Sequence, residues 1–321
     1  MVKIMRSGSG ESHAKIILIG EHSVVYGRPA IALPLSKVKT NVHIEETDSG
    51  TQILHSRYFD GELRRAPASL DGIKQLIKHI LEELSATEDS FIMTINSALP
   101  AERGMGSSGA TAIAVIRALY SYLNKHLTHA KLLQLADISE SITHGNPSGL
   151  DASTSASSQP VWMVKHHELL PLPINLNACL LICDSGIKGR TGEAVASVKK
   201  RLELEPHETQ TLLETLGKLA FMARKQIAND DATGLGQTFN AAQAQLAALG
   251  VSNKQLDELI KTSLDLGALG SKLTGGGRGG CFISLVRDQE EAQRIAAQLH
   301  THGVTKTWIQ PLGNASEEEN N

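Results

Sequence analysis

Three short segments of this chain combine residue types that do chemistry on an anion. The first, Gly104-Met105-Gly106-Ser107-Ser108-Gly109, follows a β-prone run ending near Pro100 and precedes a long apolar helical stretch. Glycines let a backbone approach a ligand closely, and the unpaired N–H groups and positive dipole at a helix start attract phosphate. The segment also fits G-x-G-x-x-G, but a dinucleotide fold requires a second parallel strand and an acid about 20 residues on, whereas a second helical pattern follows here. Its two serine hydroxyls suit a phosphate-bound Mg²⁺; read alone, the same residues are a plain helix cap. The second segment places Glu140 at a predicted helix end and Asp151 just beyond a Gly/Pro turn, with small polar residues through Ser158. Two carboxylates with different neighbours can divide into metal ligand and base, the alternative for Asp151 being a solvated loop acid. The third, Lys272 to Cys281, has five glycines in the six positions 275–280, interrupted by Arg278. Such a loop either wraps a ligand closely or is a flexible turn. No Walker A loop and no protein-kinase H-R-D or D-F-G signature occurs.

The elements that must position these segments read as strands first. Lys15 to Ile19, Ala30 to Glu46, Gln52 to His55 and Phe91 to Ile95 are β-prone; Ser69 to Leu84, Ala110 to Asn124 and Ala130 to Thr143 then have helical periodicity. Strands return at Val161 to Lys165 and Ala178 to Cys183. Several helices follow between Glu193 and Gly267, broken near Pro206, Asp230 and Gly250. A strand at Cys281 to Val286, a helix at Asp288 to His302 and a strand at Lys306 to Ile309 close the pattern, before an acidic end, 314–321, that reads as a frayed tail. Strands and helices are segregated rather than strictly alternating, which predicts α+β layers, with a boundary around Pro171 to Asn177.

Composition narrows the function classes. At 321 residues the chain is long enough for about two domains. Lys and Arg number 31 against 34 Asp and Glu, and with no basic block a nucleic-acid partner is not expected. Neither a membrane span nor a signal peptide is seen, so a cytosolic protein is expected. Three cysteines make no disulfide framework. Cys179 and Cys183 share one predicted strand, about 13 Å apart, and read as core. None of the 13 histidines has zinc-site spacing, and His166 and His167 read as surface or strand-end residues on opposite faces.

Taken in order, the segments resemble the GHMP small-molecule kinase superfamily. Pro100 to Ser108 matches its P-x-x-x-G-[LM]-G-S-S signature. Lys15-Ile16-Ile17-Leu18-Ile19-Gly20-Glu21-His22-Ser23-Val24-Val25-Tyr26-Gly27, His144 to Asp151 and Lys272 to Cys281 are most similar to the motifs of its mevalonate-kinase branch, as is Leu246 to Leu259. Two departures stand out: Ser12-His13-Ala14-Lys15 replaces a frequent A-P-G-K, and Arg278 interrupts a loop that is often all glycine. The resemblance implies an α+β, two-lobed fold: a lobe similar to ribosomal protein S5 domain 2 over residues 1–175, carrying the phosphate loop and catalytic Asp, and a ferredoxin-like lobe over 176–321. It implies ATP with Mg²⁺ and phosphorylation of the 5-hydroxyl of mevalonate. Gly104, Gly106, Ser107, Ser108 and Gly109 would then hold the nucleotide, Ser108 and Glu140 the Mg²⁺. Asp151 would be the base, and Lys15 would keep it ionised and stabilise alkoxide-like charge. Glu21 and His22 would bind mevalonate's hydroxyls and carboxylate. Thr191, with Lys188 and Arg190 nearby, would bind the carboxylate or close over the phosphates, the two cations being as readily plain surface groups. Family members are often dimers, so a homodimer is among the expected assemblies. The competing readings are another GHMP kinase such as phosphomevalonate kinase, a non-catalytic metabolite or nucleotide sensor on this fold, and, more distantly, a dehydrogenase.

Overall fold

In the computed structural model, strand β1 (Ser7–Ile19) begins eight residues before the apolar run Lys15 to Ile19 that announced it. Small residues recur at every second position, Gly8, Gly10, Ser12 and Ala14, and all four are buried. A Cβ on Gly8 would lie 2.2 Å from the Tyr122 backbone nitrogen and one on Gly10 2.1 Å from the Ala114 oxygen, so only glycine lets β1 lie on the helix that carries those residues. The structure describes residues 5–100, 102–144 and 148–313; Gly145, Asn146 and Pro147 of the second motif and the acidic end 314–321 lie outside them.

The elements continue as β2 (Pro29–Glu46), β3 (Gln52–Ser56), β4 (Phe59–Glu62), α1 (Asp71–Glu83), β5 (Phe91–Ser97), α2 (Ser107–Tyr122), α3 (His129–His144) and α4 (Leu150–Ala156). Then come β6 (Val161–Val164), β7 (Glu168–Pro171), β8 (Cys179–Asp184), α5 (Thr191–Leu204), α6 (Pro206–Ala228), α7 (Ala232–Ala248), α8 (Lys254–Asp265), β9 (Gly270–Leu273), β10 (Cys281–Val286), α9 (Gln289–Thr301) and β11 (Lys306–Pro311). The four-residue strands β4, β7 and β9 and the short α4 were not legible as sequence patterns, since a window so short holds barely one period. His166 and His167 were expected at a strand end; they lie in the turn between β6 and β7, where His166 has φ 64°.

Two units cluster separately, and neither is continuous in sequence. The first comprises Met1–Lys15, Pro34–Pro100 and Gly106–Ser158; the second comprises Ile16–Leu33, Ala101–Met105 and Gln159–Asn321. In the first unit the strand order is β4-β3-β5-β2, with β1 also on β2; β3 and β5 are parallel, and β2 runs antiparallel to β5 with Thr40 opposite Ser97. One apolar cluster joins sheet and helices, among them Ile44, Phe91 and Met93 with Ile73, Leu76, Ile77, Ile113 and Ile116. Phe91 meets Tyr122 edge-on at 5.9 Å.

In the second unit, residues Pro29–Ala32 of β2 pair with β6, which pairs with β7. A separate four-stranded antiparallel sheet has the order β11-β8-β10-β9. Numbered within this sheet, that is strand order 4-1-3-2, the ferredoxin-like arrangement, with α5 to α8 all inserted in the first crossover. Every residue of β8 and β10 is buried, which accounts for Cys179, Cys183 and Cys281 as free core thiols. The helix breaks fall where the sequence placed them. Pro206 opens α6, and the Asp231, Asn253 and Asp288 side chains accept from Gly234, Leu256 and Glu291 N–H to cap α7, α8 and α9. Among the described residues no helix is long and apolar enough to cross a membrane.

Candidate active site

Lys15 is the residue on which the first unit's site turns. Its place on β1 buries the side chain to 2 % exposure, and its ammonium reaches Asp151 Oδ1 at 2.7 Å. Buried lysines persist only when paired, and this carboxylate, 31 % exposed, is a partner of Lys15. Asp151, expected just beyond a Gly/Pro turn with a solvated loop acid as the alternative, lies in the first turn of α4, after Gly149 in the left-handed conformation at φ 79°. Helix geometry fixes its direction more tightly than a loop would, and the helix start favours its negative charge.

The two glycines that follow explain how the phosphate segment meets this pair. Gly106 has φ +70°, and a Cβ there would lie 2.7 Å from Lys15 Cγ, so the lysine stem lies across that residue. At Gly109 a Cβ would stand 3.3 Å from the Ala152 nitrogen, where α2 approaches the start of α4. α2 makes its first intrahelical bond from Ala110 N–H to the Gly106 carbonyl, at 2.9 Å. The Ser107, Ser108 and Gly109 N–H groups thus precede that bond, as the first donors of any α-helix do. Ser108 Oγ donates to Glu140 Oε1 of α3 at 2.7 Å, and Glu140 is 4 % exposed.

A second cluster lies in the second unit. Glu21 and Lys272 form an ion pair with both side chains fully buried. His22, in the left-handed region at φ 60°, places Nε2 3.0 Å from the Gly276 carbonyl, and burial pushes its pKa down to about 4. A carbonyl only accepts, so Nε2 carries the proton of a neutral ring and Nδ1 presents a lone pair. The Thr274 hydroxyl donates to the Ile17 carbonyl at 2.9 Å. Thr191 opens α5, and its Oγ1 would lie 2.5 Å from a Cβ on Gly276.

The glycine-rich third segment was read as a ligand wrap or a flexible turn. Its glycines are enclosed by the chain's own backbone: added Cβ atoms at Gly275, Gly277, Gly279 and Gly280 would fall 2.0 to 2.9 Å from carbonyls of Gly104, Val251, Lys188 and Arg103. Arg278 donates to Ser197 Oγ at 2.8 Å and to the Gly250 carbonyl, so it is a structural strap to α5 and the α7–α8 turn. Lys188 and Arg190 are exposed and paired with Glu102 and Glu193.

Of the residues singled out in sequence, Lys15 meets Asp151, Ser108 meets Glu140, and Gly106 and Gly109 lie against the former pair. Gly104 belongs to the second unit, 2.9 Å at Cβ from the Thr274 carbonyl. Glu21 meets a residue that had no assigned role, Lys272. Arg103, bonded through Nε to Asp184 at 3.0 Å, was also passed over. Lys272 lies in the wholly buried strand β9 and Arg103 in a bend against the buried Asp184, signals visible only once burial is known.

Family models match both halves of the chain: GHMP kinases N terminal domain over residues 72–159 and GHMP kinases C terminal over 223–305. A mevalonate kinase of Pyrococcus horikoshii is 34% identical over 305 residues, 88% of this chain and 90% of that protein. The crystal structure of mevalonate kinase from methicillin-resistant Staphylococcus aureus is 35% identical, with TM-score 0.74 over 96% of this chain and 100% of that one. That of L. major mevalonate kinase in complex with R-mevalonate is 25% identical, with TM-score 0.82 over 98% and 99%. With the ferredoxin-like strand order, the glycine–serine segment at the start of α2 and both family matches in sequence order, this chain belongs to the GHMP kinases.

Proposed function

We propose that this GHMP kinase uses ATP to phosphorylate the 5-hydroxyl of mevalonate, giving 5-phosphomevalonate and ADP. The observation that carries the chemistry is the 2.7 Å contact between Lys15 and Asp151 beside Gly106. The substrate rests on the mevalonate kinases to which the chain is similar over most of its length. In the reaction the 5-hydroxyl oxygen bonds to the γ-phosphorus, its proton passes to an Asp151 carboxylate oxygen, and the bond from the γ-phosphorus to the ADP oxygen breaks. Lys15 sits against that carboxylate and offsets the negative charge developing on the alcohol oxygen. The N–H groups of Ser107, Ser108 and Gly109, with Gly106 allowing close approach, hold the phosphates at the start of α2. Phosphoryl transfer asks little more of a protein than such positioning and neutralisation.

Ser108 Oγ and the Glu140 carboxylate are adjacent oxygen donors of the kind Mg²⁺ takes, and we assign them to it. Mg²⁺ would supply charge neutralisation at the phosphates. On the acceptor side we assign Glu21, His22 and Thr191, and Gly104 stays with the nucleotide residues. A neutral His22 with its lone pair on Nδ1 accepts from a hydroxyl and cannot attract the carboxylate by charge. Thr191, at the positive end of the 14-residue α5, suits the carboxylate. We take 1–175 and 176–321 as the two lobes, which the family matches on either side of residue 175 support, although the compact units divide differently, with Ile16–Leu33 and the residues from Gln159 in the second. ATP and mevalonate are charged and water-soluble, in keeping with a cytoplasmic enzyme, and sedimentation equilibrium decides whether it is a homodimer.

The test is ADP release across mevalonate, phosphomevalonate, homoserine and galactose. Turnover with mevalonate alone supports the assignment. A faster rate with phosphomevalonate moves the enzyme to the next reaction class, and ADP release with none of the four points to a sensor.

A further inference from the structure

The mechanism above places Glu21 on the acceptor side but gives its partner Lys272 no chemical task, although the two form the most deeply buried ion pair among the described residues, with both side chains 0 % exposed. Lys272 also donates to the Leu273 carbonyl at 2.7 Å, and its ammonium lies 5.9 Å from the Phe239 ring centroid. Burying two charges is expensive, and apolar residues of similar volume usually pack at least as well, so cohesion alone does not account for the pair. What an ion pair adds is direction: one geometry satisfies it and neighbouring ones do not.

That direction falls on two short segments. Ile17 to His22 and Lys272 to Gly276 are tied three times: by the Glu21–Lys272 pair, by the Thr274 hydroxyl on the Ile17 carbonyl, and by His22 Nε2 on the Gly276 carbonyl. His22 follows Glu21 directly and holds a φ of 60° that a non-glycine residue adopts only when its surroundings impose it. We propose that Lys272 is a positioning residue for the acceptor alcohol: acting through Glu21, it holds His22 so that Nε2–H is taken by Gly276 and the Nδ1 lone pair is left for the alcohol's hydroxyl. Being fully buried, Lys272 acts on the substrate only through this chain of contacts. The inference rests on the acceptor role assigned to His22 above.

The test is a double-mutant cycle on the full chain with Lys272→Met, Glu21→Gln and the double variant, varying mevalonate and ATP separately and recording the melting temperature. Each single variant is expected to raise KM for mevalonate about 10- to 100-fold, the scale of a small misplacement of a contact group, with KM for ATP within about twofold. The double variant leaves no buried unpaired charge, so its melting temperature returns toward the parent's, while its KM for mevalonate stays as high as in either single variant. Recovery of KM together with melting temperature would make the pair purely structural and overturn the proposal. So would an unchanged KM, equal rises for mevalonate and ATP, or losses that multiply across the cycle. If the singles do not fold, the double variant alone decides by the same criterion. A parent that ignores mevalonate but phosphorylates another alcohol overturns the substrate assignment instead, and the cycle is then read with that alcohol.

Discussion

In the proposed reaction Asp151 and Lys15 act on one proton, and their shared geometry makes their losses interdependent. Asp151→Asn is nearly isosteric yet cannot take the hydroxyl proton; lost general-base help is worth about 10²–10⁴ in rate, or roughly 3–5 kcal/mol of barrier. Single-turnover kinetics should show that loss with ATP affinity within a few-fold of the parent. Lys15→Met should behave alike, and the double variant should lose less than the sum. Near-normal turnover in Asp151→Asn would remove it as base. His22 supplies a different observable. Burial is the main cause of its depressed pKa, with Arg278 adding to it and the Gly276 bond opposing. Its ordinary value is 6.5 and its folded value about 4. Between them the unfolded chain binds a proton that the folded one excludes, so the contribution is full above pH 6.5 and is lost as pH falls toward about 4. The size is about 3 kcal/mol. The melting temperatures of the parent and His22→Gln should therefore stay a constant distance apart above pH 6.5 and draw together as pH falls toward about 4; a separation independent of pH would mean that the folded ring titrates at its ordinary value.

The elements hold these residues through closeness of backbone. β1 reaches α2 over Gly10, and α2 reaches Lys15 over Gly106, each where a Cβ would fall 2.1 and 2.7 Å from its neighbour. The two contacts have different consequences. Gly10→Ala meets a helix backbone that cannot yield, and should cost about 3 kcal/mol of stability. Gly106→Ala meets a lysine stem that can shift, at the expense of the ammonium's place beside Asp151; kcat should fall about 10- to 100-fold in molecules that remain folded. Comparing kcat of both variants well below their melting temperatures separates the two. A Gly106→Ala enzyme as active as Gly10→Ala would show that the stem's path does not matter.

For the whole molecule the question is what metal does. Among the described residues no group of three or more His, Cys, Asp or Glu is placed to hold an ion. A Ser108–Glu140 site would be filled with nucleotide rather than on folding. Chelation with EDTA should accordingly abolish ADP release reversibly and leave far-UV circular dichroism and the melting temperature of the free enzyme unchanged. A melting temperature that drops on chelation would reveal a structural ion instead. Net charge bears on partners less directly: 31 Lys and Arg against 34 Asp and Glu leave a formal charge of −3, and a small phosphate needs only a helix start.

What the sequence determined by itself was whatever depends on neighbours along the chain. The periods of α1 to α3, the caps that separate α6, α7 and α8, the glycine–serine start of α2 and the three motifs in order are local, and local chemistry is written in consecutive residues. Their order was enough to name the family and the kind of reaction. Tertiary structure decided the partners. Ser108 and Glu140 are 32 residues apart, and Glu21 and Lys272 251, so no spacing rule links either pair. It also decided that four of the five glycines after Thr274 accommodate carbonyls of the chain itself, that Asp151 stands on a helix, and that burial depresses the pKa of His22. Each of these depends on burial and on which backbone comes close. Both are properties of the packed chain, because desolvation and steric exclusion act between atoms in space whatever their separation in sequence.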